Sequence, residues 1–474
     1  MSKKITIFWF RYDLRIMDNP GLFEAVQRGA VLPIYILDQE HFSIGEAAKC
    51  WLHHSLASLN KSLDFKLNFY EGNAFDILKS LLEHNKGIDA IYWNRCYEPK
   101  SIEQDKRIKQ YFDQQGLECK SFNASLLWEP WDIKKGSEDG YYKVFTHFYR
   151  NGCLKSNQPR DILERPKKLD LTNLLSDAKN LEELNLLPKI KWHKKFEDKY
   201  DIGEGGAQKA LGKFLSNGLK GYKELRNYPI KPNTSKLSAH LHFGEISPHN
   251  VWYAAQTKGL INGHDADLDH FLSELGWREF SYYVLYHFPE LPSKNYQAKF
   301  DNFPWSDDDE AFEKWKRGQT GYPIVDAGMR ELWETGFMHN RVRMIVASFL
   351  VKNLLQDWRK GLKWFEECLL DADMANNSFG WQWVAGCGFD AAPYFRIFNP
   401  VLQGEKFDSA GEYTRRFVPE LAKLPNEYLF KPWEASEQIL EEAGVVLGET
   451  YPYPIVDGKT SRDRALQAYR ELSL

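Results

Sequence analysis

Between Asp371 and Asp408 the chain packs acids, amides, tryptophans and arginine into one segment, DADMANNSFGWQWVAGCGFDAAPYFRIFNPVLQGEKFD. Asp371, Asp373, Asn376 and Asn377 fall within two helical turns, and Trp381 and Trp383 follow closely. Burying such polar groups without partners costs about 2–7 kcal/mol each, and neighbouring tryptophans argue against open solvent. The segment reads as the wall of a cavity that takes a polar, aromatic ligand.

Three other constellations could do chemistry. In NTSKLSAHLHFGEIS (233–247), Thr234, Ser235 and Ser238 flank Lys236 ahead of an apolar run. Hydroxyls there suit a helix N-cap, and the same free N–H groups suit a phosphate. In SELGWREF (273–280), Glu274, Trp277 and Arg278 share a helical face, as an i,i+4 salt bridge beside a packed indole or as a ligand-facing set. In MHNRVRM (338–344), Asn340 and Met344 share a face in the same way. Arg226, Arg341 and Arg396, with Lys406 beside them, are candidate phosphate contacts or solvated charges.

Composition sets the bounds. A chain of 474 residues is long enough for two or three domains. A net charge of −4 is no polyanion-binding signature for the whole chain, although screening over about 10 Å at 0.1 M salt leaves room for a local basic groove. Aromatic content is high at 15%, with 16 tryptophans, more than core packing alone calls for. The six cysteines are scattered without a CxxC pair, which argues against zinc and iron–sulfur ligand sets and suits a reducing cytoplasm. The N-terminal apolar run is broken by Arg11, so it reads as a buried strand rather than a signal peptide, and no run approaches a membrane span. The expected location is cytoplasmic, with no membrane association.

The elements that must position these residues fall into three stretches. ITIFWF, VLPIYIL, KLNFY, DAIYWN and CKSFN read as strands alternating with helices such as AKCWLHHSLASLNKSL and SIEQDKRIKQYFDQQ. This is a doubly wound, Rossmann-like parallel sheet over 1–130. No GxGxxG or GxxxxGKS loop follows the first strand, which excludes the standard nucleotide-phosphate loops there. Residues 131–200, with scattered prolines and lysines, read as a surface connector. Residues 201–474 read as all-α, with EGGAQKALGKFLSNGLKGY and MRELWETGFMHNRVRMIVASFLVKNLLQDW as amphipathic helices.

These motifs, with FWFRYDLRIMDNP (8–20), GQTGYPIVDAGMRELWETGFMHNRVRM (318–344) and KNLLQDWRKG (352–361), stand in the order of the photolyase/cryptochrome family, which the chain resembles along essentially its whole length. The resemblance is strongest to class I cyclobutane pyrimidine dimer photolyases. It implies an antenna-chromophore domain, a connector and a helical FAD-binding domain. It implies FAD contacts at Tyr222, Thr234, Ser235, Lys236, Leu237, Ser238, Phe271, Glu274, Arg278, Asn340, Arg343, Asp371, Asp373 and Asn377, with Asn377 facing flavin N5. Arg343 would pair with Asp371. Trp277 and Trp383 would be the aromatic walls for a flipped pyrimidine dimer; Glu274, Asn340 and Met344 would face the lesion; Arg226, Arg341 and Arg396 would contact DNA. Trp305, Trp358 and Trp381 match an electron-hopping chain to the flavin.

Relatives that repair the (6-4) photoproduct carry histidines where this chain has Asn340 and Met344, which favours the cyclobutane dimer. Plant cryptochromes place an acid, and animal cryptochromes a cysteine, at the position of Asn377, which favours repair. The expected partner is UV-damaged DNA, with no obligate protein partner. The expected antenna is methenyltetrahydrofolate, although the Asn-Glu pair of some folate-binding members is Lys100-Ser101 here. The alternatives are a cryptochrome-type light receptor without repair and a DNA-binding flavoprotein that does no repair or acts only on single strands.

Overall fold

The structure, a computed structural model, describes residues 4–40, 44–136, 140–173, 178–197, 199–263 and 265–472. Contacts divide the chain into two compact units. The first comprises residues 1–220, 235–289 and 370–373; the second comprises 221–234, 290–369 and 374–474.

Among the described residues the first unit holds five parallel strands: β1 (Ile5–Phe10), β2 (Ala30–Leu37), β3 (Asn68–Glu71), β4 (Ile88–Asn94) and β5 (Glu118–Phe122), in the order β3-β2-β1-β4-β5. Ile7 pairs with Leu32 on one side and Ile91 on the other. Alternation assigns the side chains. Phe8 and Phe10 pack with Leu22, Ala25, Trp51 and Leu56 from helices Pro20–Arg28 and Glu46–Ser62. Ile7 and Trp9 pack with Leu78, Leu81, Ile108 and Phe112 from helices Ala74–His84 and Pro99–Gln114. Both faces are covered, which is why the strands are nearly continuous apolar runs. The doubly wound sheet read from the sequence is the one present.

Strand order reverses between β1 and β4, where open sheets of this kind form their ligand crevice. Here that point is filled. Arg11 donates to both oxygens of Asp105 at 2.8 and 2.9 Å and to the Asn94 carbonyl at 2.6 Å, and the Trp93 indole donates to Asp105 at 2.7 Å. Among the described residues between β5 and Gly203 the helical elements are short turns, and Leu171 and Lys179 bridge to Val31 and Phe69.

The rest of the first unit is built around helix Asp265–His287. Glu279, buried on this helix, accepts from the backbone N–H of Leu127 at 2.8 Å and of Trp128 at 3.2 Å. Arg15, also buried, ties the β1 loop to the carbonyls of Gly244 and Ala124, both at 2.8 Å.

The second unit is helical, as the loss of alternation predicts. Two of the long runs are not single helices. Residues 329–358 break at Gly336, whose φ of 67° ends helix Pro323–Thr335. A new helix, Asn340–Ser348, widens to a π turn over Phe349–Asn353, and Asp357 then caps Trp358–Cys368. In the first unit, EGGAQKALGKFLSNGLKGY likewise widens to a π turn at Phe214–Gly218. Hydrophobic period alone does not register such turns. In the second unit Asp326, buried, accepts from Thr320, Gly321 and the Tyr451 hydroxyl, closing the start of its helix. All six cysteines are free thiols, and among the described residues no helix is long and apolar enough to cross a membrane.

Burial pushes the Glu279 carboxyl up to about 7, opposed by Arg278 and the two backbone donors. A carboxyl raised in the fold favours stability below its unfolded value near 4.5 and loses that contribution as pH rises through 7. The stability of the protein relative to Glu279→Gln should therefore fall by about 3 kcal/mol between pH 4 and 8, measured by urea unfolding at each pH.

Candidate active site

In the first unit, Glu274, Trp277 and Arg278 lie partly exposed along one face of helix Asp265–His287, as their spacing requires. The Trp277 indole is stacked on Phe145, centroids 3.7 Å apart and planes 12° apart, and Phe145 stacks in turn on Tyr149. Gly276 allows this: a Cβ there would come within 2.6 Å of the Tyr149 ring. One face of Trp277 is thus pinned by a ring from a distant part of the chain. Phe271, buried, packs against Phe214 at 4.6 Å.

Arg278 donates to the Ser125 carbonyl at 2.7 Å and to Glu279 at 3.2 Å, and lies over the Tyr282 ring. It does not make the i,i+4 bridge to Glu274, which lies 3.8 Å from the His270 ring nitrogen. Asp373 is 5% exposed and accepts from the Tyr282 hydroxyl at 3.4 Å. Burial, with Asp373 adding to it, holds the Tyr282 phenol well above its ordinary range, so it remains the donor. Burial lowers His242 in the same surroundings and keeps it neutral. Asp371 is partly exposed.

The Ser/Thr-rich run differs from the N-cap expected of it. Helix Ser238–His242 is five residues long, with Leu237 at its N-cap and no capping side chain. Ser235 Oγ instead accepts from the Leu237 N–H at 3.4 Å. Leu237 is buried while Lys236 and Ser238 are exposed, and Lys236 holds a left-handed φ of 57°, a conformation that disfavours side chains with a Cβ. Thr234 lies at the edge of the second unit.

In the second unit, helix Asn340–Ser348 presents exposed Asn340 and, one turn on, partly exposed Met344. Its N-cap is His339, 2% exposed, whose Nδ1 accepts from the Arg341 N–H at 3.1 Å. Arg341 donates to Asn227 at 2.6 Å and lies 4.4 Å from the centre of the Phe407 ring, over which Lys406 also sits. Burial and then the charge of Arg226 lower its pKa; a guanidinium nevertheless keeps its proton. Arg226 covers the ring of buried Tyr222. Arg343 donates to the Met338 carbonyl at 2.8 Å, and Arg396 is exposed on a loop.

Helix Met374–Ala385 carries Asn377, Trp381 and Trp383. Asn377 donates its amide N–H to the Leu362 carbonyl at 3.1 Å, which orients the amide with its oxygen as the remaining acceptor. Gln382 locks the helix by donating to the carbonyls of Leu291 and Lys294, both at 2.7 Å. Trp381 is buried against the backbone at Gly361, where a Cβ would lie 2.1 Å from the indole. Trp358 is also buried and donates to Asn295 at 2.9 Å, whereas Trp305 is partly exposed beside Phe303.

Two observations in the second unit fit a flavin: the fixed Asn377 amide, and the buried Trp381 indole N–H, which has no acceptor among the described residues. Four residues that matter here went unnoticed in the sequence. Phe145 pins Trp277, Glu279 anchors its helix, His339 caps the Asn340 helix, and Trp315 meets Trp381 edge-on at 6.3 Å. Trp315 in FEKWKRG looks like any core tryptophan, and Phe145 sits in the irregular stretch after β5.

Residues 6–167 match the DNA photolyase family and residues 271–471 the FAD binding domain of DNA photolyase. The chain is 51% identical to a deoxyribodipyrimidine photo-lyase of Agrobacterium fabrum, over 98% of this chain and 97% of that protein. It is 37% identical to Cryptochrome-2 of Arabidopsis thaliana, over 100% of this chain and 80% of that protein. It superposes on the crystal structure of a class III photolyase from Agrobacterium tumefaciens with a TM-score of 0.96 and 49% identity, covering 100% of this chain and 98% of that one. That relative is of class III, so the class I expectation is not supported. With both family regions matched and relatives aligned from end to end, the chain belongs to the DNA photolyase family.

Proposed function

We propose that the protein is a light-driven photolyase that splits cyclobutane pyrimidine dimers in UV-damaged DNA, of the class III type carried by its solved relative. The observation that carries the choice of lesion is His339. It is the histidine nearest Asn340 and Met344 in sequence, and its ring is buried and committed to capping the helix. The face that follows offers an amide and a thioether, which cannot perform the proton transfer that (6-4) repair uses.

Bound fully reduced, FAD would supply the photoexcited electron for splitting the two carbon–carbon bonds of the dimer and would recover it afterwards. By family resemblance the residues that would hold it are Arg278, Asp373, the 235–238 turn, Tyr222, Thr234, Asn340, Arg343 and Asn377. The Asn377 oxygen accepts a hydrogen bond from a reduced ring without imposing a charge. Trp277 and Trp383 stack on the extruded bases, at about 1–3 kcal/mol per base, which offsets the few kcal/mol of extrusion. Glu274 and Asn340 place hydrogen bonds where charge develops on the dimer carbonyls. Arg226, Arg341 and Arg396 contact phosphates. Trp381, Trp358 and Trp305 relay electrons that restore the reduced state. An antenna pigment, methenyltetrahydrofolate by family resemblance, would feed excitation to the flavin from residues such as those after β4. Reduced FAD and DNA point to a cytoplasmic enzyme.

The test is product analysis with duplexes that carry one cyclobutane dimer or one (6-4) photoproduct. Reduced, illuminated protein should return the first to two thymines and leave the second unchanged. Repair of the (6-4) lesion would overturn the choice of substrate, and repair of neither by protein loaded with reduced FAD would favour the cryptochrome-type reading. Trp277→Ala should weaken binding of the dimer-containing duplex by about 1–3 kcal/mol, read by fluorescence titration against undamaged DNA. Trp358→Phe should abolish photoreduction of oxidised flavin while chemically reduced protein still repairs, read by transient absorption and by product yield.

A further inference from the structure

Lys352 is 1% exposed and sits in the π turn Phe349–Asn353 that continues helix Asn340–Ser348. Wide turns of this kind are frequent at functional positions. Its Nζ donates to the Arg396 carbonyl at 3.0 Å and lies 5.3 Å from the centre of the Tyr394 ring. One turn earlier, Ser348 Oγ accepts from the Phe398 N–H at 3.4 Å. Two side chains of one helical segment therefore hold the backbone of loop 389–399. The outer side of that loop carries Phe395, 63% exposed, and exposed Arg396.

We propose that Lys352 is a positioning residue for nucleic-acid binding. By holding the Arg396 carbonyl it fixes the loop that offers Phe395 and Arg396 to DNA, and it couples that loop to the helix bearing Asn340 and Arg341. The consequence for DNA rests on the repair reading above; the anchoring of the loop does not.

The anchor has a pH signature. Burial, and then the charge of Arg396, bring the Lys352 amine down to about 7 from 10.5. The charged and titratable groups set around it are Arg396 and Tyr394 from the loop, and Arg464 from helix Gly458–Glu471, which donates to the Asn353 carbonyl at 2.7 Å. Opening the loop returns the amine to water and to its ordinary value. Opening therefore takes up a proton between about pH 10.5 and 7. The closed loop is favoured at high pH, and the opening constant rises up to tenfold per pH unit as pH falls, levelling off below about 7.

Hydrogen exchange of segment 389–399 in the full chain without DNA reads this directly. After correction for intrinsic exchange, opening should be up to about 50-fold greater at pH 7 than at pH 9. Lys352→Met should abolish the slope, and Ser348→Ala should raise opening at both pH values with the slope retained. A flat profile in the unsubstituted protein, or an unchanged slope in Lys352→Met, would overturn the anchor. Should Lys352→Met fail to fold, the unsubstituted and Ser348→Ala profiles still decide. In titration with a dimer-containing duplex, Lys352→Met should bind severalfold more weakly. Equal affinity would overturn the coupling to DNA. No binding by the unsubstituted protein, with the slope intact, would instead overturn the repair reading.

Discussion

A buried carboxylate that receives backbone N–H groups sets the placement of the long helix of the first unit. Glu279 accepts from Leu127 and Trp128 in the stretch after β5, while Arg278 beside it takes the Ser125 carbonyl. These bonds fix both the rotation and the height of helix Asp265–His287 against the sheet's connector. That rotation decides where Glu274 and Trp277 point, one turn up the same helix. Desolvating an acid to this degree is costly, as its raised pKa records. What it secures is a fixed orientation for the side chains that share its helix.

The second unit uses the same device with different groups. Gln382 pins helix Met374–Ala385 by two carbonyls, which in turn fixes Asn377 and the indoles of Trp381 and Trp383. Asp326 closes the start of helix Pro323–Thr335, and His339 does the same for Asn340–Ser348. In each case a buried polar side chain satisfies backbone groups of a neighbouring segment and so fixes the helix that carries it. Lys352 extends the pattern to a loop.

The parallel sheet was legible because strands buried on both faces read as unbroken apolar runs, and ITIFWF and DAIYWN lie where that signal places them. The shared face of Glu274, Trp277 and Arg278 on helix Asp265–His287 was legible from their i, i+3, i+4 spacing. The helix breaks at Gly336 and the π turn at Phe349–Asn353 were not, because an amphipathic stripe continues across them. Nor were the supporting partners. Phe145 reaches Trp277 across more than a hundred residues, and nothing in a local window marks it. The Ser/Thr run misled because short hydroxyls suit loops and caps alike, and here they serve a turn.

The central claim is that light absorbed by reduced flavin, rather than any ground-state chemistry of the side chains, breaks the dimer. An action spectrum of dimer repair in near-UV and blue light, set against a dark control, tests this most directly. The account predicts that repair per photon follows the absorption of fully reduced FAD together with any bound antenna pigment, and is nil in the dark. Repair in the dark, or a spectrum that follows neither pigment, would contradict it.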